Sequence, residues 1–421
     1  MVRCLVAVSL SLCIANTSAT GQGFYQREPI RYSRAADENV ITALNLRIAA
    51  GEVELALESK SGRLRALLRA LAVPESSQTL VFSKTSLQRH RVSPSNPRAL
   101  FFGPDVYVGW VPGAAAIEVA AGDAKLGLVF YSLSQDPEQA PQLRRDDSCL
   151  SCHATSRTDD EPGLLLRSVF PDENGDPIAS AGETAVTLSA PIEERWGGWL
   201  VTGHFEGVHR GNGIASRDER GHWLVQGRAA ADLQAFAEDF AVEDYPVATS
   251  DIGALLALEQ QVTVHNVLIQ CTLQMRCLLE NDRALNDLLG ETGQREPTAD
   301  IGETLAKKIA VVLLLGGEAS LEGRDAAPSA AFAADFVAPW PKDPSGVRLG
   351  RLDLRQRLFD LPMSPMVHSP AFAALPVELR NRVLARLRLV LASGRIPGGV
   401  ELTPEQRRVL HVHLRSTLTG Y

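Results

Sequence analysis

The residues best suited to chemistry in this 421-residue chain are two cysteines and a histidine within five consecutive positions. Cys149-Leu150-Ser151-Cys152-His153 has the spacing C-x-x-C-H. Two thiols three residues apart project from one helical turn, where both reach the two vinyl groups on one edge of a porphyrin. The histidine that follows is then carried beneath the iron as its proximal ligand. The pattern predicts one covalently attached haem c, tethered by Cys149 and Cys152 and ligated by His153.

Other chemistries use the same residue types. A zinc site would combine Cys149 and Cys152 with Cys271 and Cys277, although the second pair has five intervening residues rather than the usual two to four. A thioredoxin-like redox pair would follow a buried strand at the start of a helix, and the polar segment before Cys149 predicts no such strand. A plain disulfide between Cys149 and Cys152 leaves His153 without a role.

The remaining cysteines are expected to be structural or to be removed. Cys4 and Cys13 lie in the amino-terminal apolar segment described below. Cys271 and Cys277 are six residues apart in a predicted helix, which separates them by about 9 Å along its axis, too far for a disulfide. Two buried thiols are the expected outcome.

The second axial ligand of the iron decides between electron transfer and ligand chemistry, because Met or His closes the iron and an empty position leaves it reactive. Met363, with Met366, lies in a proline-stiffened loop that suits a thioether ligand. His265 shares a helical face with apolar residues and should point inward, which is equally typical of a core histidine. His209, with His204, lies in a glycine-rich stretch suited to a pocket loop. Met363, His265 and His209 therefore stay as candidate distal ligands.

Three further side chains are candidates for the carboxylates of a haem. Arg167 and Arg195 are suited to pairing with the propionates, and the indole N–H of Trp196 is suited to donating a hydrogen bond to them. An arginine and a tryptophan on an ordinary surface would look the same in the sequence.

The amino terminus predicts an export signal. One basic residue, an apolar core from Cys4 to Ala15 and small residues ending near Ala19 are the three parts of a cleaved secretory signal, placed at residues 1–19. The longest later apolar run, Ile309 to Leu315, is too short to span a membrane. We expect a periplasmic or otherwise exported protein with no transmembrane segment in its mature chain, because c-type haem is attached outside the bacterial cytoplasm.

The elements that must position the motif predict an α+β protein. Short helices are expected near residues 39–50 and 64–73, and strands rich in Val, Phe and Tyr near 79–82, 105–111 and 126–133. A long helix from Ser250 to Leu289 and helices near 300–315, 376–392 and after Thr403 follow, with a meandering linker over 318–346. The predicted parts are an α+β haem-attachment part over 20–225 and a helical part over 226–421.

Composition excludes several classes of protein. With 45% hydrophobic and 22% charged residues, the chain is neither disordered nor a small disulfide scaffold. The formal net charge of -8 disfavours general binding of nucleic acid and suits a redox partner that presents a basic patch.

Several stretches resemble an uncharacterised family of large exported bacterial proteins with a single c-type haem motif. The likeness covers residues 24–420 and is carried by Ser77–Ser86, Pro97–Phe102, Asp105–Trp110, Cys149–His153 and Arg195–Trp199. The resemblance implies the haem site at Cys149, Cys152 and His153, and no activity. In that family the positions of Gln260, Val264 and Met363 often hold His, Met and Cys, which favours His265 over Met363 as the second ligand.

These observations predict an exported c-type cytochrome that transfers electrons through one covalent haem to a redox partner protein. A chain of this length holds far more protein than electron carriage needs. The alternative is therefore a haem enzyme of the peroxidase or oxidase type with an open or weakly ligated iron, and a third reading is a sensory module that reports gas or redox state. Whether the protein is an enzyme stays open at this point.

Overall fold

A computed structural model describes residues 23–396, 398 and 401–421. The predicted export signal, residues 1–19, lies outside the described residues. Within them, a strand-rich amino-terminal part is followed by a helical carboxyl-terminal part, which confirms the predicted α+β class.

A seven-stranded antiparallel sheet forms the centre of the first part, in the order β6-β5-β4-β3-β2-β1-β9. Two small sheets, β7-β8 and β10-β11, lie outside it. The strands are β1 (Thr79–Val81), β2 (Arg98–Phe102), β3 (Val106–Trp110), β4 (Ala116–Asp123), β5 (Gly127–Ser134), β6 (Leu143–Arg145), β7 (Arg167–Val169), β8 (Glu183–Ala185), β9 (Trp199–Leu200), β10 (Ala215–Arg217) and β11 (Trp223–Val225). The sequence did not predict β4 as a strand.

Nine α-helices accompany the strands in the described part of the chain. They are α1 (Val40–Ala49), α2 (Leu64–Ala70), α3 (Leu150–His153), α4 (Ile252–Leu289), α5 (Glu296–Leu313), α6 (Ala330–Val337), α7 (Pro370–Ala373), α8 (Val377–Ser393) and α9 (Pro404–Thr417). The capping box at Thr403 and the stop at Gly394 are as predicted, Gly394 taking a left-handed conformation with φ of 77°.

Two helix predictions need correction. Asp251, rather than Ser250, caps α4, because the Asp251 carboxylate accepts the Ala254 N–H at 3.1 Å. The hydroxyl of Ser250 instead donates to the carbonyl of Leu200 at 2.6 Å and accepts the N–H of Leu80, so it ties the helix start to the sheet. The segment predicted as a linker over 318–346 contains α6, whose Ser329 N-cap accepts the N–H of Phe332.

Helix α4 is shared by two large hydrophobic clusters. Its first half packs with the sheet, α1 and α2, and its buried face toward α5 and α8 belongs to the second cluster. Among the described helices, α4 alone is long and apolar enough to cross a membrane, and 83% of its most apolar window is buried inside the protein. The predicted division near residue 226 lies before this shared helix.

Candidate haem-attachment site

The C-x-x-C-H segment forms a single tight turn after the edge strand β6. Asp146 caps the turn, its carboxylate accepting the N–H of Ser148 at 3.0 Å, and α3 continues to His153. Cys152 is exposed and Cys149 is partly buried, and both are free thiols. The motif is therefore presented on a short helical turn, as its spacing predicts.

The imidazole of His153 is held by a hydrogen bond and by ring packing. Nδ1 lies 2.8 Å from the carbonyl oxygen of Gly163, and the ring centroid is 4.8 Å from that of Phe130. Because a carbonyl only accepts, Nδ1 carries the proton and Nε2 keeps its lone pair. Burial lowers the pKa of His153, which favours the neutral ring. Nε2 makes no hydrogen bond to any residue that the structure describes. Its lone pair is therefore available to bind a metal.

The three motif residues line one cavity, here called the motif cavity. Its volume is about 240 Å³, and it opens to solvent. Aliphatic and aromatic side chains dominate its lining, among them Leu100, Phe130, Leu164, Leu166, Leu258 and Val262. A large, flat, apolar group fits such a lining better than a small ion does.

One face of the central sheet forms the floor of the motif cavity. Strand register places a set of lining residues on that face: Val81, Arg98, Leu100, Gly109, Glu118, Ala120, Phe130 and Trp199. Gly109 leaves room for the guanidinium of Arg98, which passes over it from β2 to pair with Glu118 on β4, and a Cβ at Gly109 would collide with that guanidinium. Small residues on the middle strands thus leave space above the sheet for the motif cavity.

Two arginines stand among the lining residues near the motif. Arg157 donates to Glu183 at 3.0 Å, and Arg167 pairs with the same carboxylate through two nitrogens. The two arginines lower the pKa of Glu183, against the opposing effect of burial. Two cations sharing one carboxylate leave a positive balance at the cavity, so the structure places the predicted propionate partner Arg167 at the site.

Arg195 and Trp196 are not in the lining of the motif cavity; they lie instead in a buried ion pair. Arg195 Nη1 and Trp196 Nε1 both donate to the carboxylate of Glu259 on α4 at 2.7 Å. The side chains of Arg195 and Glu259 are each 4% exposed. Their hydrogen bonds to one another and to backbone carbonyls account for their burial, so no structural observation supports them as propionate partners.

None of the three distal-ligand candidates is brought to the motif cavity. Met363 is fully buried in the second hydrophobic cluster. The ring of His209 packs on Trp196 and Phe205, and its Nδ1 accepts the N–H of Gly211 at 3.0 Å. The described lining contains no methionine and no histidine other than His153.

His265 points inward, as its helical face predicts, and meets Tyr107 and Asp105 instead of the motif cavity. Its Nδ1 lies 3.0 Å from the hydroxyl of Tyr107 and its Nε2 lies 3.4 Å from Oδ1 of Asp105. Sequence reasoning missed this group, since residues of β3 and α4 meet only through the fold. The only sign of this group in the sequence was the apolar spacing of α4, which predicted that His265 points inward.

The other cysteine chemistries find no support in the geometry. The four cysteines of the described chain do not converge, and the one metal-ligand cluster in that part is the exposed trio of His204, Glu206 and Asp325. Burial, with the nearby Asp146, raises the pKa of Cys149 to about 12, whereas reactive redox thiols have a lowered pKa. Cys271 and Cys277 are buried free thiols, as predicted.

No protein-family model, curated protein or solved structure matches this chain.

Proposed function

We propose that the protein is an exported c-type cytochrome that transfers electrons through one haem attached at Cys149 and Cys152. The observation that carries the proposal is the junction of the motif turn with the motif cavity: two free thiols and an unpaired imidazole nitrogen line one mostly apolar cavity. Such a cavity, apolar with a few convergent polar groups, is the kind of site that binds a cofactor.

The residues present fit a covalent haem. Cys149 and Cys152 offer thiols for the two vinyl additions, and each addition forms one C–S bond while the thiol proton goes to the vinyl carbon. His153 offers Nε2, fixed in direction by the hydrogen bond from Nδ1 to Gly163. Arg157 and Arg167 offer positive charge toward propionates.

A bound haem would supply reversible one-electron chemistry at its iron. The chain's own part is to tether it, to orient the imidazole and to keep most of the porphyrin in an apolar space. The exposed side chain of Cys152 puts one tether at the surface, a position that suits electron exchange with a docked protein. The net charge of -8 suits a partner with a basic patch, and export is proposed from the predicted signal at residues 1–19.

Denaturing electrophoresis tests this proposal. The wild-type chain, produced in a host that matures c-type cytochromes, is expected to keep its pigment on the gel. Cys149→Ala/Cys152→Ala is expected to lose it, and the matched control Cys271→Ala/Cys277→Ala to retain it. A wild-type chain without pigment, or a motif variant with pigment, contradicts the proposal.

A second function is favoured by one observation: the described lining of the motif cavity offers no methionine and no second histidine. An iron held by His153 alone has a vacant position for peroxide, oxygen or carbon monoxide, as in a haem enzyme or a gas sensor. Absorption spectra of the purified protein with carbon monoxide and with cyanide separate the functions. Unchanged low-spin spectra support electron transfer alone, and rapid spectral change supports the second function.

A further inference from the structure

The face of the sheet that floors the motif cavity continues into a second cavity. Asp105 directly precedes β3, and Tyr107 and Gly109 lie within it. Because successive residues of a strand face opposite sides of the sheet, these three positions share one face. Gly109 lines the motif cavity, and Asp105 lines a second one, the Asp105 cavity, of about 240 Å³. Tyr107 stands between them and also lines the motif cavity.

Helix α4 covers both cavities with one stripe of side chains. Leu258 and Val262 line the motif cavity, and one turn further His265, Ile269 and Thr272 line the Asp105 cavity. The helix therefore runs across the partition between the two cavities.

Tyr107, His265 and Asp105 form a polar line through the partition, with a hydrogen bond between Tyr107 and His265 and a longer contact between His265 and Asp105. The Tyr107 hydroxyl is 3.0 Å from His265 Nδ1, and His265 Nε2 is 3.4 Å from Asp105 Oδ1. Gln261 Nε2 donates to the same hydroxyl at 3.0 Å and to the carbonyl of Gly103 at 2.7 Å, which fixes the phenol from a second side. His265 is fully buried and the side chain of Asp105 is 17% exposed.

Several polar atoms of this group have no hydrogen bond. Asp105 Oδ1, His265 Nε2 and Thr272 Oγ1 are buried and unpartnered in the described structure. Each such atom costs about 1–3 kcal/mol of stability. Because Asp105 Oδ1 and His265 Nε2 face each other, a single proton placed between them gives both atoms a hydrogen-bond partner. Either tautomer of the imidazole is compatible with the phenol.

Both tautomers are allowed by the donors and acceptors present. With the proton on Nε2, the Tyr107 hydroxyl donates to Nδ1. With a protonated Asp105 donating to Nε2, Nδ1–H donates to the phenol oxygen, which has a second lone pair for Gln261 and a proton directed elsewhere. Both proton arrangements therefore fit one set of side-chain positions, and the 3.4 Å contact between Asp105 Oδ1 and His265 Nε2 closes to hydrogen-bond distance when a proton lies between them.

The charges around the line suit proton uptake at neutral pH. Burial, with the nearby Asp123, raises the pKa of Asp105 to about 7, and burial lowers the pKa of His265 to about 4. Asp123 on β4, Glu38 before α1 and Arg276 on α4 are the other ionisable groups around the cavity. Lys125 pairs with Glu38, and α7 contributes only apolar lining, from Pro370 and Ala371.

We propose that Asp105 and His265, joined to Tyr107, form a proton relay that takes up a proton from the Asp105 cavity and holds it beside the motif cavity. The inference rests on the proposed function, because the proton compensates the charge of an electron that arrives at the motif cavity. For each electron gained there, one proton enters from solvent through the Asp105 cavity and is held by the Asp105–His265 pair. Proton and electron charges cancel, and no bond between heavy atoms forms or breaks.

Redox titration of the haem-loaded protein between pH 5.5 and 8.5 tests the relay. The midpoint potential of the wild type is expected to fall as pH rises, toward a limit of about 59 mV per pH unit for one proton per electron. Asp105→Asn is expected to abolish the fall, and Tyr107→Phe to reduce it. Glu38→Gln, which changes another carboxylate at the same cavity, is expected to keep it. A pH-independent wild type, or an unchanged slope in Asp105→Asn, overturns the relay.

A readout without haem separates failure of the relay from failure of the proposed function. Burial also raises the pKa of Glu161 and of Glu318 to about 7, so the infrared readout is the difference between Cys149→Ala/Cys152→Ala and the same protein with Asp105→Asn added. This difference is expected to show one protonated carboxyl band that titrates near pH 7. A missing pigment in the wild type with this difference band present contradicts the cytochrome alone. An absent difference band contradicts the relay whatever the pigment.

Discussion

The motif cavity and the polar contacts of α4 lie on the same face of the sheet, but their charged and polar side chains differ in solvent exposure. At the motif cavity the pairs Arg98–Glu118 and Arg167–Glu183 have side chains 20–30% exposed. Under α4, Glu259 and His265 are almost wholly enclosed. Charges beside open space are able to turn toward a bound group, whereas enclosed charges depend on their fixed partners. The first region is therefore suited to binding a ligand. The second is suited to keeping its protons and charges at fixed positions.

The largest stability effect is expected where an enclosed charge loses its partner. Glu259→Leu leaves Arg195 buried and unpaired and is expected to lower the free energy of unfolding by about 3–5 kcal/mol. Urea denaturation measures the loss. On the same helix, Glu280→Gln removes an exposed partner of Arg283 and is expected to leave the urea midpoint nearly unchanged. Equal losses in the two variants would erase the contrast between enclosed and exposed charges.

A pH-dependent effect is expected from Asp105. The folded protein, with a pKa of about 7 at this carboxyl, keeps a proton that the unfolded chain, with a pKa of about 3.9, has released. This contribution to stability is complete below about pH 4 and is lost as pH rises through 7. Relative to Asp105→Asn, the wild type is expected to lose at most about 1.4 kcal/mol per pH unit over that range.

Denaturation of both proteins at pH 4, 5, 6 and 7 measures this difference. His265 acts in the opposite direction, since its lowered pKa means that its contribution is lost as pH falls from about 6.5 through 4. Because the two groups face each other at 3.4 Å, the same comparison in a His265→Gln background separates the effect of Asp105 from that of His265. A wild type that gained stability over Asp105→Asn with rising pH would contradict the assignment.

A smaller loss is expected from the phenol of the relay. Tyr107→Phe leaves His265 Nδ1 without its partner and is expected to cost about 1–3 kcal/mol. Tyr25→Phe is the matched control, because the Tyr25 hydroxyl makes no hydrogen bond within the described chain. Thermal denaturation of the two variants measures the difference, and equal stabilities would show that the buried phenol is not held as described.

The smallest effect is expected at the exposed trio of His204, Glu206 and Asp325. His204 and Asp325 pair at 3.0 Å with side chains 58% and 77% exposed, so His204→Ala is expected to change stability by less than about 1 kcal/mol. The same urea titration measures it. A loss comparable with that of Glu259→Leu would contradict the link between enclosure and cost.

The parts of the site that the sequence predicted are those that lie close together in the chain. The motif turn spans five residues, and the cap at Thr403 and the inward face of α4 follow from local periodicity. The floor of the motif cavity depends instead on strand register, which sets Arg98 beside Glu118 across Gly109. Arg195 was predicted as a propionate partner, but it pairs with Glu259, 64 positions away, a contact that no local pattern reveals.

In the central sheet the sequence did not predict β2, β4 and β6, and β4 shows one reason. Strand β4 contains Ala116, Ala120, Ala121 and Gly122, which have little strand propensity and form a strand because β3 and β5 pair on both sides. Two of them, Ala120 and Gly122, line the motif cavity and the Asp105 cavity, where larger side chains would fill the space. The feature that hid the strand from sequence reasoning is thus the one that makes room for the site.

Peptide mapping of the mature protein tests the central claim most directly. Cleavage after Arg145 and Arg157 releases residues 146–157, which contain both motif cysteines and His153. In protein from a host that matures c-type cytochromes, mass spectrometry is expected to find this peptide carrying one haem through both thiols. Recovery of the peptide with two free thiols, or of haem on a peptide containing Cys271 or Cys277, would contradict the account.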